Sequence, residues 1–208
     1  MTDDTAKELL ETWFGDWDER VPLPEGGPPQ YDLWWKQSAE QDERLRQRFG
    51  EAHRAALAGA CEAWGETPRG NLALVLLLDQ VTRNLYRRQP EMFAADPAAR
   101  ARVRLALDRG DEGRLALIER YFLYMPLMHS EALPDHERAT DRFQALLADA
   151  RAAGSARIGV YEGGVEFEAR HRAIVARFGR YPHRNAILGR ASTPEERAFL
   201  EEPGSSFL

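Results

Sequence analysis

Apolar residues recur at helical spacing along almost the whole chain. The densest run, LALVLLL at residues 72–78, is too long and too uniform for one face of a surface helix, so it predicts a helix buried on all sides. Leu74, Leu78, Val81 and Leu85 continue it at i, i+4, i+7 and i+11. Polar residues then enter the buried element. Asp79 and Arg83, four apart, extend the stripe begun by Leu72 and Val75, and Gln80, Asn84 and Arg87 form the neighbouring stripe. Removing one partner of a buried charge pair costs roughly 3–5 kcal/mol, so Asp79 with Arg83 is expected as an internal brace or as part of a lined cavity.

The same periodicity places the other elements. A first amphipathic helix is expected over about residues 4–20, with Leu9, Leu10, Trp13, Phe14 and Trp17 on one side. Residues 21–30, VPLPEGGPPQ, read as a loop, and Tyr31, Leu33, Trp34 and Trp35 as cover for a core edge. Residues 38–64 are helix-forming, with Gly50 the place for a break, and Pro90 is expected to end the central helix. Asp96 reads as an N-cap before Pro97, opening a helix that stops at Gly110. Another is expected over residues 112–124, interrupted by Pro126, and a further one over residues 135–151 carries Ala139, Phe143, Leu146 and Leu147. Residues 152–164 mix glycines with little periodicity and read as mobile. Phe167, His171, Ile174, Val175 and Phe178 restore a helix that ends at Gly179. Thr193, Pro194 and Glu196 form a capping box for a short last helix, and residues 201–208 read as a loose tail. With no alternating stretch of strand length, the fold class is all-α: a single domain of antiparallel helix pairs packed in layers.

Composition narrows the function classes. The 208 residues carry a formal net charge of −6 and a sequence pI near 5.5, which points to neither nucleic acid nor an anionic membrane as partner. No run reaches the roughly 18 apolar residues of a spanning helix, and the acidic start MTDDTAKELL lacks the basic region of a signal peptide, so the expected location is cytoplasmic. Cys61 is the one cysteine and reads as a small core residue.

Three segments hold unusual polar residues: Asp79, Gln80, Arg83, Asn84 and Arg87; RYFLYMPLMHSE, ending in His129, Ser130 and Glu131; and RFGRYPHRNAILGR, with Arg177, Arg180, His183, Arg184 and Arg190 and no acid. A basic island in an acidic protein asks for a counter-charge. Asp79 and Glu131 supply it within the fold, or an anionic ligand does, since the arginine fork suits carboxylate and phosphate.

In LALVLLLDQVTRN with Phe93, Ala94 and Asp96, in YMPLMHSE, and in RFGRYPHRNAILGRASTPEE, the chain resembles the bacterial family catalogued as domain of unknown function 924. With FGEAH and PRGNLAL the resemblance runs from Trp34 to Leu200. It implies an all-helical, tetratricopeptide-like fold and carries over no catalytic residues. His136 stands where the resemblance leads one to expect glutamine.

Two readings follow. In the first, an internal pocket binds a small anionic molecule. Arg83, Asn84, Arg180, His183 and Arg184 hold it, and His129, Glu131 and Asp79 are the candidates for acid–base chemistry. In the second, those groups are a structural ion-pair network in an interaction module whose groove takes a peptide or protein partner. Neither calls for a cofactor: no phosphate loop, dinucleotide fingerprint or GxSxG elbow is present, and His129, Glu131 and His183 lack a zinc-ligand spacing. An RNA surface at Arg177, Phe178, Arg180, Tyr181 and Arg184 is outweighed by Phe178, which lies on the apolar stripe of its helix.

Overall fold

The computed structural model describes residues 3–206 apart from 25, 26 and 28. Among them the regular structure is helical throughout and no strand occurs. The buried run at residues 72–78 becomes the centre of the fold. Helix α4 (Pro68–Val75) passes into a π-helical segment, Leu76–Val81, and then into α5 (Thr82–Leu85). Thr67 caps α4 by accepting from the Gly70 N–H. From Leu72 to Leu78 no residue is more than 3 % exposed, as expected of a helix apolar all round.

The other helices surround this one. Helix α1 (Asp3–Phe14) packs on α4 with Leu9, Leu10, Trp13 and Phe14 buried, and stops where Gly15 turns at a φ of 51°, short of the expected residue 20. Helix α2 (Pro29–Trp35) brings up Trp34, whose indole N–H donates to the Trp13 carbonyl at 2.9 Å and whose ring lies 4.8 Å from Phe122. Helix α3 (Ala39–Leu57), capped by Ser38, packs along the π segment and α5. It runs unbroken through Gly50 and ends seven residues before Trp64, because Gly59 turns at a φ of 76° and a 3-10 turn, Glu62–Glu66, follows. Helix α6 (Asp96–Arg109) packs on α4 and α7, and Gly110 closes it in the left-handed region. Helices α7 (Leu117–Met128), α8 (Leu133–Ala152) and α9 (Ile158–Phe178) pack one on the next, and α10 (Pro194–Leu200) keeps the expected capping box.

Three further expectations change. Pro126 does not interrupt α7; it sits two residues before the end, so only the Phe122 carbonyl loses its donor, while burial holds the helix. Asp96 is not the N-cap of α6: Ala95 holds that position, and the Asp96 carboxylate turns inward to two arginines. Much of residues 152–164 is ordered. Arg157 donates to the Val21 carbonyl at 2.8 Å and stacks 3.9 Å from Trp17, and α9 begins at Ile158. Gly164 belongs to the core, since a Cβ there would stand 2.6 Å from the Tyr121 ring. In the tail, the buried Ser205 hydroxyl donates to the Leu200 carbonyl at 3.1 Å. Of the expected loop and tail, Glu25, Gly26, Pro28, Phe207 and Leu208 lie outside the described residues.

Candidate functional site: a cationic cavity over a buried ion-pair network

The π-helical segment carries Asp79 into the interior, where its exposure is zero. A carboxylate there needs partners, and it has three. His129, at the C-terminus of α7, donates its Nδ1–H to Oδ1 at 2.8 Å; an ionised carboxylate only accepts, so the proton sits on Nδ1. Gln80 donates from Nε2 to Oδ2 at 2.6 Å, and Arg83 Nη1 stands 3.1 Å from Oδ1. Burial pushes the Asp79 carboxyl up, but Arg83 and His129 outweigh it and hold the group well below the usual carboxylate range. His129 is pushed down from its ordinary value chiefly by burial, against the pull of Asp79, and is neutral near pH 7.

The network closes through Asp96. Arg83 Nη2 donates to Asp96 Oδ1 at 3.0 Å, Arg184 Nη1 to Oδ2 at 3.3 Å, and Arg184 Nη2 to the His129 carbonyl at 2.9 Å. The Arg184 guanidinium lies 4.5 Å from both the Phe93 and Tyr181 rings. Two carboxylates and two guanidiniums thus neutralise each other away from water. A similar pairing stands beside it: Asp42 takes Arg87 Nε at 2.6 Å, Arg87 Nη2 at 2.8 Å and Asn84 Nδ2 at 2.8 Å.

Above the network lies a cavity of about 610 Å³. Its floor holds Gln80, Asn84, Met125, Met128 and His129; Trp34, Trp35 and Tyr121 form one wall, and the Gly159, Gly163, Phe167 face of α9 the other. Lys36, Arg83, Arg87, Arg88 and Arg170 put cationic groups around it, and no aspartate or glutamate is among the described lining residues. Arg88 is the non-glycine residue of the described chain with a left-handed backbone, at a φ of 63°. Such a conformation costs of order 1–3 kcal/mol and concentrates at functional sites.

The eight sequence candidates separate into groups. Arg83, Asn84 and His129 line the cavity, with Asp79 directly behind. Arg184 is buried in the network below. Glu131 faces a second, shallower depression of about 420 Å³ that also takes in Asp96 and Ser130. There Arg190 grips it at 2.7 and 2.9 Å and the Tyr181 N–H donates to it at 2.8 Å, holding its carboxyl below the ordinary value against burial. Arg180 is clamped on Glu196 at 2.6 and 2.8 Å, and half-buried His183 lies against Tyr181 at 5.4 Å between ring centroids. His136 is fully buried between Glu168 and the Ser130 carbonyl, at 2.9 Å from each, as part of the α8–α9 packing. Periodicity gives no signal for Asp42, Arg88 or the α9 face; His171, four residues after Phe167, is the nearest to one.

Residues 9–204 match the family model described as a bacterial protein of unknown function, DUF924. The chain belongs to that family. A solved structure of a protein of unknown function from Agrobacterium tumefaciens is 36 % identical to this DUF924 chain, covers 97 % of it and 99 % of its own length, and superposes with a TM-score of 0.79. No curated protein matches the chain. Among the described residues no helix is long and apolar enough to cross a membrane, and no three His, Cys, Asp or Glu side chains gather as metal ligands would.

Proposed function

We propose that this DUF924 chain binds a small anionic molecule, a carboxylate or a phosphate, in the 610 Å³ cavity. The observation that carries the reading is the charge of the lining: five cationic side chains and no acid among the described residues. The acids that neutralise Arg83 and Arg87 sit behind them, at 0–8 % exposure, so among the described residues no carboxylate stands on the cavity side of either guanidinium. Guanidinium groups in a partly dehydrated recess bind carboxylate and phosphate through charge-assisted, often bidentate hydrogen bonds. His129 faces the bound molecule with Nε2, the acceptor nitrogen of a neutral ring whose one proton sits on Nδ1 toward Asp79. A neutral imidazole backed by a carboxylate is equipped to accept a proton from the ligand or from a water beside it. Glu131, Arg180, His183 and Arg184 then act as the support of the floor rather than as contacts to the ligand.

The test is thermal unfolding of the purified protein with inorganic phosphate, acetate and a panel of phosphorylated and carboxylated metabolites. A ligand that binds only the native state raises Tm by mass action, and at a hundredfold excess over Kd it adds about 2.7 kcal/mol. The expected result is a shift that Arg88→Glu abolishes in a protein that still folds. An absence of shift from every anion would refute the reading and favour a macromolecular partner.

A further inference from the structure

The α9 wall of the cavity is bare. Gly159 and Gly163, four residues apart, present backbone to the cavity, and a Cβ at either would meet no atom of the described residues within 4 Å. Their neighbour Gly164 is the opposite case, because there a Cβ would collide with Tyr121 at 2.6 Å and Phe143 at 3.1 Å. Glycine in a helix interior weakens the helix relative to alanine, so a glycine that no described neighbour requires weakens the helix without helping the packing. At Gly163, inside α9, the absent side chain leaves room in the cavity and serves no close approach of another described residue.

The volume agrees. A recess of about 610 Å³ is roughly twenty water volumes at ~30 Å³ each, far more than a bare carboxylate or phosphate fills. The space beyond the cations is apolar, walled by Trp35, Tyr121, Met125 and Phe167. At the floor, Gln80 is 7 % exposed and spends its Nε2 on Asp79 and on the Met125 sulfur. Asp79 fixes that orientation, since a carboxylate cannot receive the amide oxygen. Gln80 Oε1 and His129 Nε2 are therefore left as two acceptors that take no hydrogen bond from any described residue.

Resting on the anion-binding reading, we propose that the ligand is an amphipathic anion. Its apolar body lies on the α9 backbone at Gly159 and Gly163, its carboxylate or phosphate meets Arg88 at the rim, and a hydroxyl or N–H of the body meets Gln80 Oε1 and His129 Nε2. Gly163 is then the residue that sets how wide a body the cavity admits.

Affinity is measured by calorimetry and thermal shift on the full chain for acetate, octanoate, naphthalene-1-acetate and indole-3-acetate. Octanoate and the two aryl acetates are expected to bind about tenfold or more tighter than acetate, because apolar area leaves water. Indole-3-acetate is expected to bind tighter than naphthalene-1-acetate through its N–H, and equal affinity of the two overturns the contact with Gln80 and His129. Gly163→Leu is expected to remove the gain over acetate while Tm of the free protein holds or rises, and Gly163→Ala to raise the free Tm and weaken octanoate binding partially. Equal affinity for all four compounds would overturn the amphipathic ligand and leave anion binding standing. Binding by none overturns both. Tight octanoate binding untouched by Gly163→Leu overturns the α9 wall, and a lower free Tm in Gly163→Ala shows that the glycine serves packing instead.

Discussion

Replacing Asp96 by alanine tests the buried network most directly. Asp96 is 5 % exposed and its side chain lies between Arg83 and Arg184, which expose 16 % and 8 % of theirs. With it, two carboxylates balance two guanidiniums; without it, Asp79 alone faces both and one positive charge is left uncompensated away from water. Removing one partner of a buried pair costs about 3–5 kcal/mol. Asp96 also stands in the first turn of α6, but the helix dipole contributes only about 0.3–1 kcal/mol there, so the network term dominates. For a chain of this length each kcal/mol moves Tm by about 2–4 °C, which gives an expected drop on the order of 6–20 °C. Urea unfolding of Asp96→Ala measures the loss. The double variant Asp96→Ala/Arg184→Met, with the network neutral again, is expected to recover part of it, and the cycle isolates the coupling. A loss under about 1 kcal/mol in the single variant would refute the network as a brace and reduce Asp96 to a dipole contact.

Lowering the pH is expected to destabilise the protein. Burial, reinforced by His129, holds His171 down to about 3, and burial with Arg184 holds His183 down to about 4. Because the unfolded chain takes up these protons first, the stability is complete above pH 6.5 and is lost as pH falls towards the folded values, with His171 alone forfeiting about 2 kcal/mol by pH 5. Asp79 and Glu131, held low, act in the same direction, whereas Glu168, raised by burial, opposes them. A Tm that is flat or rising from pH 7.5 to 5 would contradict this balance. Gly164→Ala should lower stability by about 1–3 kcal/mol through overpacking against Tyr121 and Phe143, as chemical denaturation would register. Arg88→Gly should leave Tm unchanged or raise it by a few degrees, since glycine adopts the left-handed backbone without strain, while weakening anion binding; a fall in Tm would show that the Arg88 side chain packs.

The fold was largely legible because burial writes itself into periodicity. The run at residues 72–78 announced a fully buried helix, and Gly110, Gly179 and the Thr193 capping box marked ends that the structure keeps. Local rules failed where a distant contact overrode them. Asp96 has the sequence context of an N-cap but is drawn inward by arginines 13 and 88 positions away. Gly50 and Pro126 are breakers that surrounding packing carries through. The polar stripe of Asp79 and Arg83 pointed to a network or a cavity and belongs to both: Asp79 closes the network and Arg83 also lines the cavity. Arginine-rich residues 177–190 gave no clue to which cations face open space, because each guanidinium's partner is chosen by the tertiary fold. The α9 wall was hidden for the same reason, since a glycine that frees room for a ligand and one that permits close packing look alike in a sequence.

The π-helical segment sets the phase of the central element. A regular α-helix advances about 100° per residue and a π turn takes up about one residue more than an α turn, so rewinding Leu76–Val81 to α with every residue kept would rotate everything after it by roughly that angle. Arg83 would swing away from Asp96, and Asn84 and Arg87 away from Asp42, with every side chain still present. The phase of one helix, more than the identity of any single residue along it, keeps the cations facing the cavity.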